Sequence, residues 1–471
     1  MKFYKKIADE LSKKGIQIVI SEIYDFQTEW LNWYKGYVPS FHKYSMKVNG
    51  INKKFERKTL NLAKKFSEDI SKLLWTEKTK ITLDTDEKTK KLWEVLDSKE
   101  NSFSVNFPIF LEKAIAIGTG VLVEYKDEQK KTIIDYIDGN MIIPFKYTNS
   151  YITGLITINR INEQNKFYTQ ITIHRYDGTT YIRENLLYES ETEKDLGKEI
   201  ELTSKFPNVE PIESVETKTP RFQVYRNNAA NNIDLMTPLG ISVYANAIDV
   251  FKSADNKYDG FDNEFSLGKK RILVDRTAMK ATQSVNENGE IEHTQYFDEN
   301  DTAYVAITGM EQQPVKEIDF TLRAEEFIKA INADIDYAST IIGLGSNWLK
   351  FDGTGVKTAT EVISENSEAF RDKKHLDINV NDVIYDMVSA ICEMENIEAK
   401  EITILTDDSI IEDKDAEKVR AQSEVSLGLR SKWNYLTQIR GLSEEEAKKE
   451  LEKISLEKQQ TMQDEFDKLE E

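Results

Sequence analysis

Gly343-Leu344-Gly345-Ser346-Asn347-Trp348-Leu349-Lys350-Phe351-Asp352-Gly353-Thr354-Gly355 holds four glycines beside a tryptophan and a phenylalanine, which is unusual for a simple connector. Long helical patterns flank it. Upstream, Ala324, Phe327, Ile328, Ile331, Ile335, Ala338 and Ile342 recur at three- and four-residue spacing, with charged residues on other faces. Downstream, Thr358 followed by Glu361 forms a capping box and starts a second helix. That helix is polar from Ser364 to His375 and then amphipathic at Val380, Val383, Ile384, Met387, Val388, Ile391 and Cys392. The arrangement predicts an aromatic loop held between two long helices, a device for touching something that moves past.

Working outward, Pro238 and Gly240 precede a third long helical pattern from Ile241 to about Phe265, with a stripe of Tyr244, Ala247, Ile248, Phe251, Ala254, Tyr258, Phe261 and Phe265. Gly268, Lys269, Lys270 and Arg271 follow it, and the strands Ile272–Val274 and Tyr304–Ile307 are expected beyond, with Asn288-Gly289 as a turn. A small β-rich module is thus set between two helices that can run antiparallel. Nearer the start, Trp30, Trp33 and Tyr34 lie in an aromatic helical segment, whose partner is either a neighbouring subunit or the chain's own core. Asn49-Gly50 signals a hairpin, and about Arg57 to Trp75 an amphipathic helix with Leu60, Ala63, Phe66, Ile70, Leu73 and Leu74 on its apolar face. From Phe103 a helix runs to Gly118-Thr119-Gly120, and strands with the turn dipeptides Asp138-Gly139 and Asp177-Gly178 continue to about residue 190. Residues 191–219 are charged and poor in pattern, so an exposed loop or lobe is expected. Ile402–Leu405 is a further strand, and charged helices close the chain, one opened by the capping box at Ser443-Glu444-Glu445-Glu446. The fold class is α+β, mainly helical.

With 471 residues, 39% hydrophobic and 31% charged, the chain can bury a large core. Its net charge of -20 argues against a protein whose task is to grip the DNA backbone, because such proteins replace phosphate counterions with Lys and Arg. DNA that must pass without sticking is compatible with it. One cysteine, Cys392, precludes an intrachain disulfide and suits a reducing compartment. No apolar run approaches the roughly twenty residues of a membrane span, and no signal-peptide core follows Met1, so synthesis in the cytoplasm without a membrane partner is expected.

Signals for chemistry are weak. Gly353-Thr354-Gly355-Val356-Lys357-Thr358 approaches a phosphate-binding loop, but Val356 stands where a Walker loop needs Gly, and no strand precedes it. The four histidines (His42, His174, His293, His375) have no zinc-ligand spacing. No nucleophile elbow or Cys-x-x-Cys is present, and acidic pairs such as Asp407-Asp408 arise by composition in a chain with 83 acids. No catalytic residue, metal or cofactor is expected.

In this order the parts resemble the portal proteins of tailed bacteriophages, of the type found in phages of Gram-positive hosts. The most specific piece is Gly343 to Asn366, where the glycine and aromatic loop runs into Thr358-Ala359-Thr360-Glu361-Val362-Ile363-Ser364-Glu365-Asn366. Trp30-Leu31-Asn32-Trp33-Tyr34-Lys35-Gly36, Leu62-Ala63-Lys64-Lys65-Phe66-Ser67-Glu68-Asp69-Ile70 and Gly441-Leu442-Ser443-Glu444-Glu445-Glu446-Ala447 add to it. The resemblance implies a twelve-subunit ring at one capsid vertex, through which double-stranded DNA is packaged and ejected. It also implies a wing (1–237 and the helix 358–396), stem helices (238–267 and 319–342), a clip (268–318), a tunnel loop (343–357) and a crown (397–471). Implied partners are the terminase packaging motor, a head–tail adaptor, and the major capsid and scaffolding proteins, in the virion and, during assembly, in the host cytoplasm. Candidate site residues are Ser346, Asn347, Trp348, Leu349, Lys350, Phe351, Asp352 and Lys357 in the tunnel loop, and Lys269, Lys270 and Arg271 where stem meets clip. Trp348 either presses on DNA or packs, and packing is favoured because large aromatics find buried partners. The basic cluster either faces DNA or pairs with acids of an adjacent subunit. The rival readings are a nucleotide-dependent or nucleic-acid-processing enzyme built around Gly353 to Thr358, and a virion component that forms no ring.

Overall fold

Alternating apolar residues from Ile142 to Ser190 build the largest sheet of the computed structural model, which describes residues 2–456 apart from 49, 164, 269–270, 276–279, 286–290, 297–303, 308–314, 319–320, 347, 353–358, 407–413 and 444–445. Strands Ile142–Thr148, Tyr151–Glu163, Lys166–Tyr176 and Thr180–Ser190 form an antiparallel meander. At the Asp177-Gly178 turn Gly178 takes φ +104°, and Asp177 Oδ1 accepts the Thr179 and Thr180 N–H groups at 2.9 and 2.7 Å.

Of the loop or lobe that its composition suggests, the segment 191–219 forms the second, with strands of its own. Lys198–Ile200 and Ile212–Glu216 both pair with Thr180–Ser190 and extend the sheet. Leu202 is buried with Tyr168 and Leu187, and Phe206 and Val209 pack on them, so a satellite core holds the segment down while its charges face water. These strands are too short to show an alternation.

A second sheet has Thr119–Lys126 at its centre, flanked by Thr132–Asp138 and Phe222–Arg226. It packs against the helix Phe103–Ile117 and the helix Ala359–Met394. Residues 241–247 do not form the start of the next helix, although their spacing predicts it. The helix runs Ile248–Leu267, because the preceding backbone is used elsewhere: Gly240 N–H donates to Thr119 Oγ1, and Asn227 Nδ2 donates to the carbonyls of Ile115 and Ile241, each at 2.9 Å.

Trp30 and Trp33 are buried within the chain, and Tyr244 Oη donates to the Trp30 carbonyl at 2.9 Å, so the aromatic opening segment packs in its own core. The Asn49-Gly50 hairpin joins Lys43–Val48 to Ile51–Glu56 with Val48 opposite Ile51; Asn49 itself lies outside the described residues. Between Gly268 and Ile318 five strands are found where two were expected. Arg271–Asp275 pairs in parallel with Tyr304–Ile307 and antiparallel with Val315–Ile318, while Lys280–Val285 and Ile291–Tyr296 form a hairpin. The residues between the hairpin strands, Asn288 and Gly289 included, are not described. After Ala359–Met394, Ile402–Leu405 pairs with Lys80–Leu83 and returns the chain to its N-terminal half. The C-terminal capping box forms, with Ser443 Oγ accepting the Glu446 N–H at 3.3 Å and Glu446 Oε2 accepting the Ser443 N–H at 3.0 Å.

Candidate functional site

Helices Ile248–Leu267 and Ala324–Ile342 lie side by side and antiparallel. Contacts descend in one sequence as they rise in the other: Glu264 receives the Arg323 guanidinium in two bonds of 3.0 and 2.8 Å, Phe261 meets Phe327 at 5.7 Å between ring centroids, and Lys257 pairs with Asp334. Gly260 fits this seam, since a Cβ there would sit 3.3 Å from the Phe327 ring. Gly343 closes the second helix at φ +94°. Its N–H donates to Thr340 O at 3.2 Å and the Leu344 N–H to Ser339 O at 2.9 Å, the paired bonds of a Schellman stop. The side chain of Asp372, from the long helix Ala359–Met394, fills the space above this glycine, 1.7 Å from where a Cβ would be. The next residue, Lys373, forms a buried ion pair at 2.8 Å with Asp377 one turn on.

From this stop the loop crosses the helix pair on side-chain ties. Trp348 is half-buried against the main core, and its Nε1–H donates to Asp69 Oδ2 at 3.1 Å. Asp69 in turn pairs with Lys65 at 2.6 Å on the helix Leu62–Leu74. Leu349 packs on the same core. Lys350 Nζ lies 3.1 Å from Asp336 Oδ2. Phe351 sets its ring edgewise to Tyr258 (5.9 Å) and Phe261 (6.1 Å), and its N–H donates to Asn332 Oδ1 at 2.7 Å. Asn332 reaches Asp352 Oδ1 at 3.4 Å, and Ser346 is exposed.

Five of the candidate loop residues are therefore brought together as a seated segment, Trp348, Leu349, Lys350, Phe351 and Asp352, with Ser346 exposed ahead of them. Asn347 and Lys357 lie outside the described residues, as do Lys269 and Lys270, and so does the stretch Gly353–Thr358 on which a phosphate-loop reading would rest. Arg271 opens a strand opposite Ile318. What precedes the loop is a helix and not a strand, the wrong context for a Walker loop. Sequence reasoning did not find the partners Asp69, Asn332 and Asp336. Asn332 and Asp336 occupy one face of the helix before the loop, a four-residue spacing visible in the sequence, whereas nothing local marks Asp69.

Elsewhere the titratable groups act structurally. His174 is buried between Thr157 Oγ1 (3.0 Å) and Tyr181 Oη (2.7 Å), and burial lowers its pKa to about 3. Burial raises Glu124 to about 8; its oxygens lie near Gln223 without a well-formed bond. Cys392 is buried and its thiol pushed up to about 11 by desolvation. A groove of about 910 Å³ between the two sheets carries both charge signs, and its Arg183 is already paired with Glu213 at 2.8 Å. Among the described residues no group of His, Cys, Asp and Glu is arranged to hold a metal ion, and no helix is long and apolar enough to cross a membrane.

The chain matches the family model for phage portal proteins of the SPP1 Gp6-like type over residues 20–464. The chain belongs to the phage portal protein family. That family is structural rather than enzymatic, and the chain is a portal protein in function. No curated protein sequence matches it. Among solved structures it is similar to a chain of the virion of a native gene transfer agent particle, at TM-score 0.40 and 10% identity, covering 88% of this chain and 93% of that one. It is also similar to a chain of the neck of the native particle computed with C12 symmetry, at TM-score 0.39 and 9% identity, covering 80% and 89%.

Proposed function

We propose that this portal protein works as a twelve-subunit ring at one vertex of a virus capsid, the conduit through which double-stranded DNA enters and leaves. The observation that carries this reading is the family match over residues 20–464. The geometry is consistent with it. An antiparallel helix pair, Ile248–Leu267 with Ala324–Ile342, carries a small β module at one end and the seated aromatic loop at the other. In the ring these are the stem, the clip and the tunnel loop. The sheets and the helix Ala359–Met394 make the wing, and the C-terminal helices the crown. A net charge of -20 suits a channel that phosphate slides along without being gripped. In this role the loop residues Ser346 to Asp352 and Lys357 face the DNA path, with Trp348 as a packed anchor. Lys269, Lys270 and Arg271 stand where stem meets clip. ATP hydrolysis belongs to a separate terminase motor docked on the clip, and a head–tail adaptor takes its place after packaging. Capsid and scaffolding proteins surround the wing.

Native mass and shape test the reading. Mass photometry and negative-stain electron microscopy are expected to give a ring with a central hole near twelve times the 54.5 kDa chain. A compact dimer with a closed cleft, or a monomer at every protein concentration, overturns it.

A further inference from the structure

The hairpin Lys43–Glu56 opens a basic stretch of an acidic chain. Between Lys43 and Lys58 stand five lysines and one arginine against Glu56 alone. Its root is tied to the helix Ile248–Leu267. Tyr44 Oη donates to Asp259 at 3.3 Å, Lys58 pairs with Asp262 at 2.8 Å, and the Leu60 N–H donates to Asp255 at 2.8 Å. The root cations are engaged as well, Arg57 lying over the Phe41 and Tyr44 rings at 4.3 and 4.7 Å. Beyond the root, Lys47, Lys53 and Lys54 make no ion pair among the described residues.

Register sorts the hairpin into two faces. Tyr44 opposite Phe55 and Met46 opposite Lys53 share one face with Ile51; Lys43, Ser45, Lys47, Asn52, Lys54 and Glu56 share the other. The first face is apolar around one lysine, and it is open: Met46 is 54% and Ile51 65% exposed. A two-stranded ribbon is marginal by itself in water, so an apolar face of this kind requires a cover.

The long helix Ala359–Met394 carries the complementary surface. Ile378, Asp382, Tyr385 and Asp386 form one exposed stripe at helical spacing, with Ile378 53% and Tyr385 50% exposed. Asp382 and Asp386 are like charges one turn apart with no ion pair among the described residues, and partial burial with the Asp382 charge holds Asp386 above the usual carboxylate range. Apolar residues around a lysine on the ribbon thus match apolar residues around two frustrated carboxylates on the helix.

We propose that the Lys43–Glu56 ribbon is an arm that lies on the Ile378–Asp386 face of a second copy of this chain, with Lys53 set between Asp382 and Asp386. The proposal rests on the portal-ring reading, in which each copy offers one arm and one helix face to its two neighbours, a heterologous contact that closes. Six-residue strands give the arm a reach of about 20 Å. A DNA backbone offers phosphates for the lysines but nothing for Met46, Ile51 and Phe55, so the ribbon fits a protein surface better.

The test uses the full chain carrying Lys53→Cys together with Asp382→Cys, in which the buried Cys392 is the only other cysteine. Mild oxidation is expected to give a ladder of covalent oligomers on non-reducing gels, absent from either single variant. Lys53→Glu is expected to raise the concentration of half-assembly about tenfold or more, and Asp382→Lys with Asp386→Lys to restore assembly in part. Circular dichroism checks that each variant is folded. A ring that assembles with neither cross-link nor charge dependence overturns the arm contact and leaves the portal reading standing. A chain that never leaves the monomer overturns both. Rings of unchanged mass that lose retention of a DNA duplex in the Lys53→Glu variant assign the arm to phosphate and overturn the contact proposed.

Discussion

Two glycine-bearing turns of this molecule are built on opposite terms. Around Gly118, backbone lies directly on backbone: a Cβ on Gly118 would meet the Ile241 carbonyl carbon at 2.4 Å, one on Gly240 the Gly118 oxygen at 2.4 Å, and one on Gly139 the Thr119 oxygen at 2.2 Å. Nothing in that knot can move without moving a sheet. At Gly343 the atom in the way is a carboxylate oxygen of Asp372, at the end of a side chain, and the loop beyond is held by separable ties from Trp348, Lys350 and Phe351. The first turn fixes the body of the protein, and the second seats a loop that can be released one tie at a time. Alanine substitution gives the largest test of that contrast. Both glycines have positive φ, but Gly118→Ala is expected to cost about 3 kcal/mol or more and Gly343→Ala about 1–2 kcal/mol in urea unfolding. Equal losses would mean the two turns are equally rigid.

Titration sharpens the contrast from the side of the body, whose sheet core buries both an acid and a base. Glu124 has its pKa raised from 4.5 to about 8, so the native state holds a proton that the unfolded chain releases; its contribution is full below pH 4.5 and is lost as pH rises toward 8. His174 is depressed from 6.5 to about 3, so the unfolded chain binds the proton first; its contribution is full above pH 6.5 and is lost as pH falls toward 3. The two slopes oppose each other between pH 4.5 and 6.5, leaving a decline on either side. Glu124→Gln is expected to stabilise the chain by about 1–3 kcal/mol at pH 8 and to flatten the alkaline decline, read from urea midpoints across pH. A variant as pH-sensitive as the parent would show that Glu124 is charged in the fold.

The same contrast explains what could be read in advance. Helical stripes and specific turn or cap signatures survive translation into structure: the stripe from Ala324 to Ile342, the amphipathic half of the long helix, the Gly178 turn and the Ser443 capping box all form. Short strands without a marked apolar alternation leave no such signal, and so Lys198–Ile200, Ile212–Glu216 and the hairpin Lys280–Val285 with Ile291–Tyr296 escape notice. Residues 241–247 carry a helical spacing yet serve the glycine knot, because the backbone bonds they make there outweigh local propensity. In the loop, aromatic composition is visible, but the carboxylate that receives Trp348 lies 279 residues away, and only folding brings it near.

That distant tie is the next to test. Trp348→Phe keeps the ring in place and deletes the Nε1–H bond to Asp69, which retains Lys65. A loss of about 1 kcal/mol is expected, confined to the loop. Hydrogen exchange is the discriminating measurement: amides of 344–352 should exchange faster while those of the sheets stay protected. Faster exchange throughout would mean that Trp348 belongs to the core of the body rather than to the mount of the loop.

The smallest effect is expected at Lys350. Its pair with Asp336 is partly open to water, with both side chains somewhat over a quarter exposed, so screening limits its worth to about 0.5 kcal/mol. Lys350→Met keeps most of the aliphatic packing and removes the charge. Global stability should hardly change, but the response to salt should. Added salt weakens the parent's tie and speeds exchange of its loop amides, whereas the variant has no tie left to screen and should exchange at one rate in low and high salt. If parent and variant respond alike, the loop is held by Phe351 and Trp348 alone. Lys350 is then a charge already disengaged from Asp336, and the seat of the loop is apolar contact of the same kind that holds the rest of the body.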